Sequence, residues 1–149
     1  MLLKNRYNYT MSEKSYDIYK AAGIIIRDRQ VLATRSKGSD IYIQPGGKLE
    51  EGETEQQAVV RELKEELGID VDKSDLEKLG DYYAEAAGKK GQWLKLAAFH
   101  VVKFSGEPRP MSEVVEIRGF TSQIPADVIM ASIFEHDIIP DLKSRNLID

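Results

Sequence analysis

The stretch 47–69, GKLEEGETEQQAVVRELKEELGI, constrains this chain more than any other. Its second half places apolar Val59, Leu63 and Leu67 at four-residue spacing, one face of a helix. Thr54 stands where an N-cap belongs, and Gln57 completes a capping box. Glu53 and Glu55 lie near the positive end of the helix dipole, and Gly68 supplies a C-terminal stop. The spacing predicts a helix over 54–67. On that helix Glu62 neighbours both Glu65 and Glu66, so three carboxylates share the flank beside the apolar stripe. Like charges so placed repel by roughly a few tenths of a kcal/mol per pair. A cation seated among them removes that cost, and hard divalent ions such as Mg2+ take oxygen ligands. Pro45-Gly46-Gly47, just before, lets the backbone approach a ligand closely. A strand, a glycine turn, a loop and an acid-bearing helix make a compact metal-site unit.

The rest of the chain alternates elements without repeats. Residues 19–27, YKAAGIIIR, are rich in β-branched side chains and read as a strand. Asp28-Arg29 is a turn, residues 30–35 return as a second strand, and residues 41–44 lead into the glycine turn. Residues 79–87 and 92–104 read as a hairpin around 88–91, and 113–120 as a further strand. A last helix is expected over 132–143, disturbed near Pro140. Mixed strands with two main helices predict an α/β chain whose sheet is covered on both faces. No linker divides it, so residues 1–149 read as one domain, with 1–17 loosely ordered and Met11 an alternative start.

Composition narrows the chemistry. At 149 residues the chain suits one domain with a sizeable core, and 42% hydrophobic with 31% charged residues argues against disorder. A net charge of -4 supplies no basic field for a nucleic acid duplex. An anionic substrate must therefore be attracted locally, by metal ions and a few Lys or Arg. With no cysteine there is neither a disulfide framework nor a thiol nucleophile. The start, MLLKNRYNYT, lacks the apolar core of a signal peptide, and no apolar run approaches the roughly 20 residues that span a bilayer. A cytoplasmic location without membrane attachment is the expectation. His100 and His136 lie far apart with no ligand spacing.

The positions Gly47, Glu53, Arg61, Glu62, Leu63, Glu65, Glu66, Gly68 and Ile69 resemble the Nudix box, and none deviates from it. The resemblance implies an α/β/α sandwich with a mixed β-sheet. It also implies hydrolysis of a pyrophosphate bond in a nucleoside diphosphate linked to another moiety. Such chemistry puts water on phosphorus, and metal ions polarise the phosphoryl oxygens and activate the water. Mg2+ is the expected cofactor, with Mn2+ as a substitute. The resemblance makes Glu62, Glu65 and Glu66 the metal ligands, with the Gly46 carbonyl a further one. It pairs Glu53 with Arg61 as a brace between loop and helix. The general base is left open among Glu66, Glu113 and Glu116.

Arg35 and Lys48 are candidates for holding substrate phosphates, and Tyr42 either stacks on a base or packs in the core. Trp93, Tyr83 and Phe99 are expected in the core or on a sheet face. The leading substrate is a nucleoside triphosphate, oxidised or non-standard ones included. ADP-ribose, a dinucleoside polyphosphate and a non-catalytic nucleotide sensor are the alternatives. The lack of any proline between Pro45 and Pro108 speaks against ADP-ribose, and the intact glutamates speak against the sensor. Homodimers are common among such proteins. One departure stands out: Gly119 occupies a position where the family commonly has Trp.

Overall fold

Residues 19–27 do not form one strand, and the break shapes the architecture. The computed structural model describes residues 2–4, 10–12, 16–86 and 89–149. Near the start, β1 (Leu2–Lys4) pairs antiparallel with β2 (Thr10–Ser12). The expectation of loose order over 1–17 otherwise falls largely outside the described residues. The next strand is β3 (Ile18–Ile24), and after Ile25 the chain resumes as β4 (Ile26–Arg27) in a different sheet. A tight hairpin joins β4 to β5 (Gln30–Ser36) through Asp28 and Arg29, with φ of 52° and 59°. Positive φ at both central residues is what a type I′ turn needs to match strand twist. The side chain of Arg29 is held by the C-terminus, at 2.5 Å from Asp149 Oδ1 and 2.9 Å from Asn146 Oδ1.

One sheet runs in the order β7 (Gly46–Lys48), β3, β9 (Trp93–Val101), β8 (Leu76–Glu85). The other runs β10 (Val114–Phe120), β5, β6 (Ile41–Ile43), β11 (Ile129–Met130), with β4 beside β5. Each contains one parallel pairing, β3 with β9 and β6 with β11, so both are mixed. The strand alternation of β3 divides the interior in two. Ala21 and Ile25 pack under α1 (Glu55–Leu67), against Ala58, Val59, Leu63 and Leu67. Ala22 and Ile24 face a second core with Val31, Phe120, Phe134 and Leu142. Helix, sheets and helix thus make the α/β sandwich.

The last helical segment explains itself at Pro140. A proline inside a regular helix lacks the N–H donor and clashes with the carbonyl four residues back. Here a π-helical stretch, Phe134–Ile138, leads into α2 (Ile139–Ser144) and relieves that conflict. Besides β1 and β2, three elements were not expected from sequence. The glycine turn is itself strand β7, with Gly46 and Gly47 paired to Ala22 and Ala21. Strand β11 is only two residues long, and a short 3-10 turn at Lys73–Asp75 precedes β8. Residues 87 and 88, in the expected hairpin turn, lie outside the described residues. Gly119 sits opposite Leu32, and a Cβ there would come within 2.5 Å of Gln30 Oε1. In this chain the Gln30 side chain covers the space that a larger residue at 119 would take. Tyr83 and Phe99 are buried, as expected, and Trp93 is half-buried.

Candidate active site

The site is built on α1, whose ends are fixed by its own sequence. Thr54 Oγ1 accepts from the Gln57 amide at 3.1 Å, and Gln57 Oε1 accepts from the Thr54 amide at 2.9 Å. At the other end Gly68 takes φ 69° and its amide reaches the Lys64 carbonyl at 3.1 Å. With both ends pinned and the apolar stripe buried, the rotation of the helix is set. That rotation points Glu62 and Glu66 towards β7.

The approach is close enough to require glycine. A Cβ on Gly47 would lie 2.4 Å from Glu62 Oε1, and one on Gly46 would lie 2.3 Å from the Ala21 carbonyl oxygen. Gly46 also has φ 147°, which side chains rarely adopt. The adjacent glycines therefore let β7 lie flat between β3 and the acidic flank of α1. The Gly46 amide donates to Glu66 Oε2 at 3.3 Å.

Arg61 organises the acids around it. Its Nε donates to Glu53 Oε2 at 2.7 Å and its Nη2 to Glu53 Oε1 at 2.9 Å, a two-pronged pair. Nη2 also reaches the Lys48 carbonyl at 3.1 Å, tying β7 to the helix. Nη1 donates to Glu62 Oε1 at 2.8 Å and to Glu65 Oε2 at 3.4 Å. The Arg61 guanidinium holds the Glu53 carboxyl down to about 2. The same hydrogen bond to Glu53 keeps Arg61 more firmly protonated than usual.

Glu66 is the opposite case. It is 6% exposed, on a helix flank where a carboxylate would ordinarily be solvated. Burial raises its pKa first, the Glu62 carboxylate adds to this, and Glu113 adds further; the Gly46 amide works against them. The result is a carboxyl pushed up to about 8. Among the described residues no three carboxylates are gathered into a ready-made ligand set. The reason is visible in Arg61, which draws one oxygen each of Glu62 and Glu65 to itself. The donors nonetheless suit a hard divalent cation: all are oxygens, and burial beside the Glu62 carboxylate resists ionisation of Glu66, a cost that a bound cation would remove.

The other sequence candidates separate. Lys48 lines a cavity of about 130 Å3 together with Lys20, Lys89 and Gln44. Burial lowers the pKa of Lys20, and repulsion from Lys48 and Lys89 lowers it further, while Glu66 and Glu62 oppose this. Lys20 is therefore the ammonium group that feels both the other two lysines and the acidic pair. Arg35 is elsewhere. Its Nε donates to Glu116 Oε1 at 2.9 Å, and the Tyr42 hydroxyl donates to the same oxygen at 2.6 Å. Arg35 and Tyr42 border a different hollow, of about 320 Å3, with Arg118. The Tyr42 ring packs edge-on against Phe120 at 5.2 Å, which is core packing. Glu116 is thus taken up by Tyr42 and Arg35, whereas exposed Glu113 couples to Glu66. Lys20, Lys89 and Gln44 were not singled out from sequence. Lys20 carried a signal, a single charge inside the apolar run YKAAGIIIR.

Comparison with known proteins agrees with this geometry. The model of the NUDIX domain matches residues 18–138. The chain is 40% identical over 90 residues to a CTP pyrophosphohydrolase of Escherichia coli, covering 57% of this chain and 62% of that protein. It is 44% identical over 54 residues to an 8-oxo-dGTP diphosphatase of Escherichia coli, covering 33% of this chain and 42% of that protein. The chain thus spans less than two thirds of these curated relatives. The solution structure of the E. coli ORF135 protein superposes with a TM-score of 0.64 at 30% identity, covering 87% of this chain and 88% of that one. A MutT NUDIX hydrolase from Burkholderia pseudomallei shares the fold, with a TM-score of 0.67 at 24% identity over 85% of this chain and 95% of that one. With the domain model matching most of its length and the box geometry intact, the chain belongs to the Nudix family.

Proposed function

We propose that the protein is a Mg2+-dependent pyrophosphohydrolase acting on a nucleoside triphosphate, with water as the attacking group. The observation that carries this reading is the pairing of buried Glu66 with Glu62 beside a three-lysine cavity. One side of β7 offers oxygen donors for a hard cation and the other offers ammonium groups for phosphates. Relatives named for CTP and for 8-oxo-dGTP support a nucleotide substrate.

In this reading Glu62, Glu65 and Glu66, with the Gly46 carbonyl, hold the metal. Bound there, the ion supplies charge to phosphoryl oxygens and acidifies water. Lys20, Lys48 and Lys89 bind the polyphosphate, a role that passes from Arg35 because Glu116 already engages it. Glu53 and Arg61 position the ligands by fixing the loop to the helix. Glu113 takes the proton from the attacking water: its carboxylate is exposed, lies within reach of Glu66, and among the described residues has no ion-pair partner. A new P–O bond to the water oxygen forms as the bridging P–O bond breaks, and the leaving phosphate departs as the anion.

No helix among the described residues is long and apolar enough to cross a membrane, which is compatible with the proposed cytoplasmic location. A homodimer completes the reading, supported by Ile41 and Ile129, paired side by side at the sheet edge and 36% and 56% exposed; sedimentation velocity measures it. The reading itself is tested by incubation with Mg2+ and a panel of nucleoside triphosphates, ADP-ribose and dinucleoside polyphosphates, with phosphate release followed after a coupling phosphatase. Turnover of triphosphates that stops in excess EDTA and returns with Mg2+ or Mn2+ is expected. No turnover of any nucleotide would instead favour a sensor.

A further inference from the structure

Between β9 and β10 the chain crosses the end of α1 with few amides to spend. Pro108 and Pro110 have none, so over residues 108–111 only Arg109 and Met111 can donate. Both donate to α1: the Arg109 amide to the Leu67 carbonyl at 3.0 Å, and the Met111 amide to the Glu66 carbonyl at 2.9 Å. The last carbonyls of a helix find no amide within it, so this segment supplies what α1 lacks. The side chains of Arg109 and Met111 lie over Gly68, where a Cβ would come within 2.7 Å of Met111 Sδ. Upstream, Ser105 and Asp70 exchange main-chain hydrogen bonds at 3.0 Å, and Glu107 accepts both prongs of Arg27 from β4. Residues 105–111 are thus a strap fastened across the C-terminal end of α1.

Ser112 follows the strap, and Glu113 follows Ser112. Ser112 has φ 55°, a left-handed backbone that residues other than glycine adopt at a cost. Its side chain is exposed, so core packing does not enforce the conformation. What enforces it lies on either side. Met111 is tied to the Glu66 carbonyl, and the Glu113 carbonyl accepts from the Lys37 amide at 2.8 Å, just past the end of β5. Val114 then enters β10 opposite Ser36. Costly backbone persists only where its surroundings over-determine it, and such places cluster at functional sites. Here the turn brings Glu113 back to Glu66, which feels the Glu113 charge.

We infer that Ser112 is a positioning residue: its left-handed turn, held between α1 and the end of β5, aims the Glu113 carboxylate at the attacking water. The inference rests on the reading of Glu113 as the general base and adds how that base is held. Because the strap is bonded to the backbone of Glu66 itself, base and metal ligand keep one spacing. A displacement of about 1 Å at a reacting group can cost about 100-fold in rate, so a fixed spacing matters.

The test is a double-mutant cycle read in kcat and KM, with CTP and 8-oxo-dGTP as substrates and Mg2+ present. Ser112→Val puts a β-branched residue where φ is positive and should lower kcat roughly 10- to 100-fold with KM within about twofold. Ser112→Gly and Ser112→Asn accept left-handed backbone and should keep kcat within about threefold of wild type. In the Glu113→Gln background, Ser112→Val should cost less than about twofold more, because the base it aims is already gone. Amide hydrogen exchange at Arg109 and Met111 should stay slow in wild type and in Ser112→Val, showing that the strap is still fastened. Wild-type kcat in Ser112→Val, or an equal loss in both backgrounds, would overturn the inference. So would an equal loss in the Gly and Asn variants, or fast exchange at both amides in Ser112→Val. Turnover by wild type that Glu113→Gln leaves undiminished would overturn it too, while the metal-hydrolase reading would stand. No turnover of either nucleotide by wild type would defeat the hydrolase reading, and the inference with it.

Discussion

Two arginine–glutamate clusters in this protein look alike in a contact map and differ in charge balance. At one, Arg35 donates to Glu116, which Tyr42 also reaches. Arg35 pairs with the anion, Arg118 adds its positive charge nearby, and Glu116 is held below the usual carboxylate range by Tyr42 and Arg35. At the other, Arg61 faces Glu53, Glu62 and Glu65, with Glu66 buried beyond them. A single guanidinium cannot let all four carboxyls ionise together, and Glu66 is the one pushed up to about 8. In the first cluster the carboxylate is fully matched by positive charge and a hydrogen bond. The second is left in deficit of positive charge, and a partly buried deficit of that kind marks a place for a cation. An ion pair is thus poor support for a binding role by itself; the unmet remainder is the better sign.

The sharpest break between the clusters should come from removing a carboxylate at each. Glu66→Gln is expected to lower kcat by orders of magnitude, because it removes a proposed metal ligand. The same change should leave the fold intact and hold or raise the melting temperature of the metal-free protein, since a buried carboxylate beside Glu62 costs stability. Glu65→Gln should lower kcat in the same direction. Glu113→Gln should cost about 10^2- to 10^4-fold in kcat with little change in KM, the range for a lost general base. Glu116→Gln, by contrast, should leave kcat within about twofold and reduce stability by about 1 kcal/mol, the loss of a half-exposed ion pair and one hydrogen bond. Steady-state kinetics and thermal melts on the four variants check these outcomes together. A large kcat loss in Glu116→Gln with none in Glu113→Gln would reverse the assignment.

A smaller contrast concerns cations. Lys48→Ala should raise KM for a nucleoside triphosphate about tenfold, whereas Arg35→Ala should change it less than about twofold. Smaller still is the response of the brace to acid. The folded Glu53 carboxyl lies at about 2, below its ordinary value of 4.5. A lowered folded pKa stabilises the native state above the unfolded pKa and stops doing so as pH falls through the folded value. The stability gap between wild type and Glu53→Gln should therefore be full above about pH 5 and shrink between about pH 4.5 and 2. Chemical denaturation across that window measures it, and a gap that does not vary with pH would remove the brace from the account.

The sequence made the first cluster hard to see and the second easy. The helix boundaries were legible because Thr54, Gln57 and Gly68 act locally, and the structure places them as cap, capping box and left-handed stop. The pairing of Glu53 with Arg61 was implied by the resemblance to the Nudix box, and the two side chains meet at 2.7 Å. The strands 19–27 and 41–44 were legible as strands, but the change of sheet at Ile25 was not, since it depends on which partner each half meets. Strand β7 was hidden because glycines read as a turn, although they are there to let a strand pass under Glu62. The pairing of Arg35 with Glu116 was not legible, because position along a strand says nothing of a partner contributed from 81 residues away. Lys20 gained meaning only once β3, β6 and the segment 131–133 closed a cavity around it.

The charge deficit around Glu66 is proposed to be a divalent-cation site used for hydrolysis. Titration of Mn2+ followed by electron paramagnetic resonance, on wild type, Glu66→Gln and Glu116→Gln, tests it most directly. Binding by wild type and Glu116→Gln alike, with binding lost or weakened at least tenfold in Glu66→Gln, is the predicted result. Equal Mn2+ affinity in wild type and Glu66→Gln, or full nucleotide turnover in excess chelator, would contradict it.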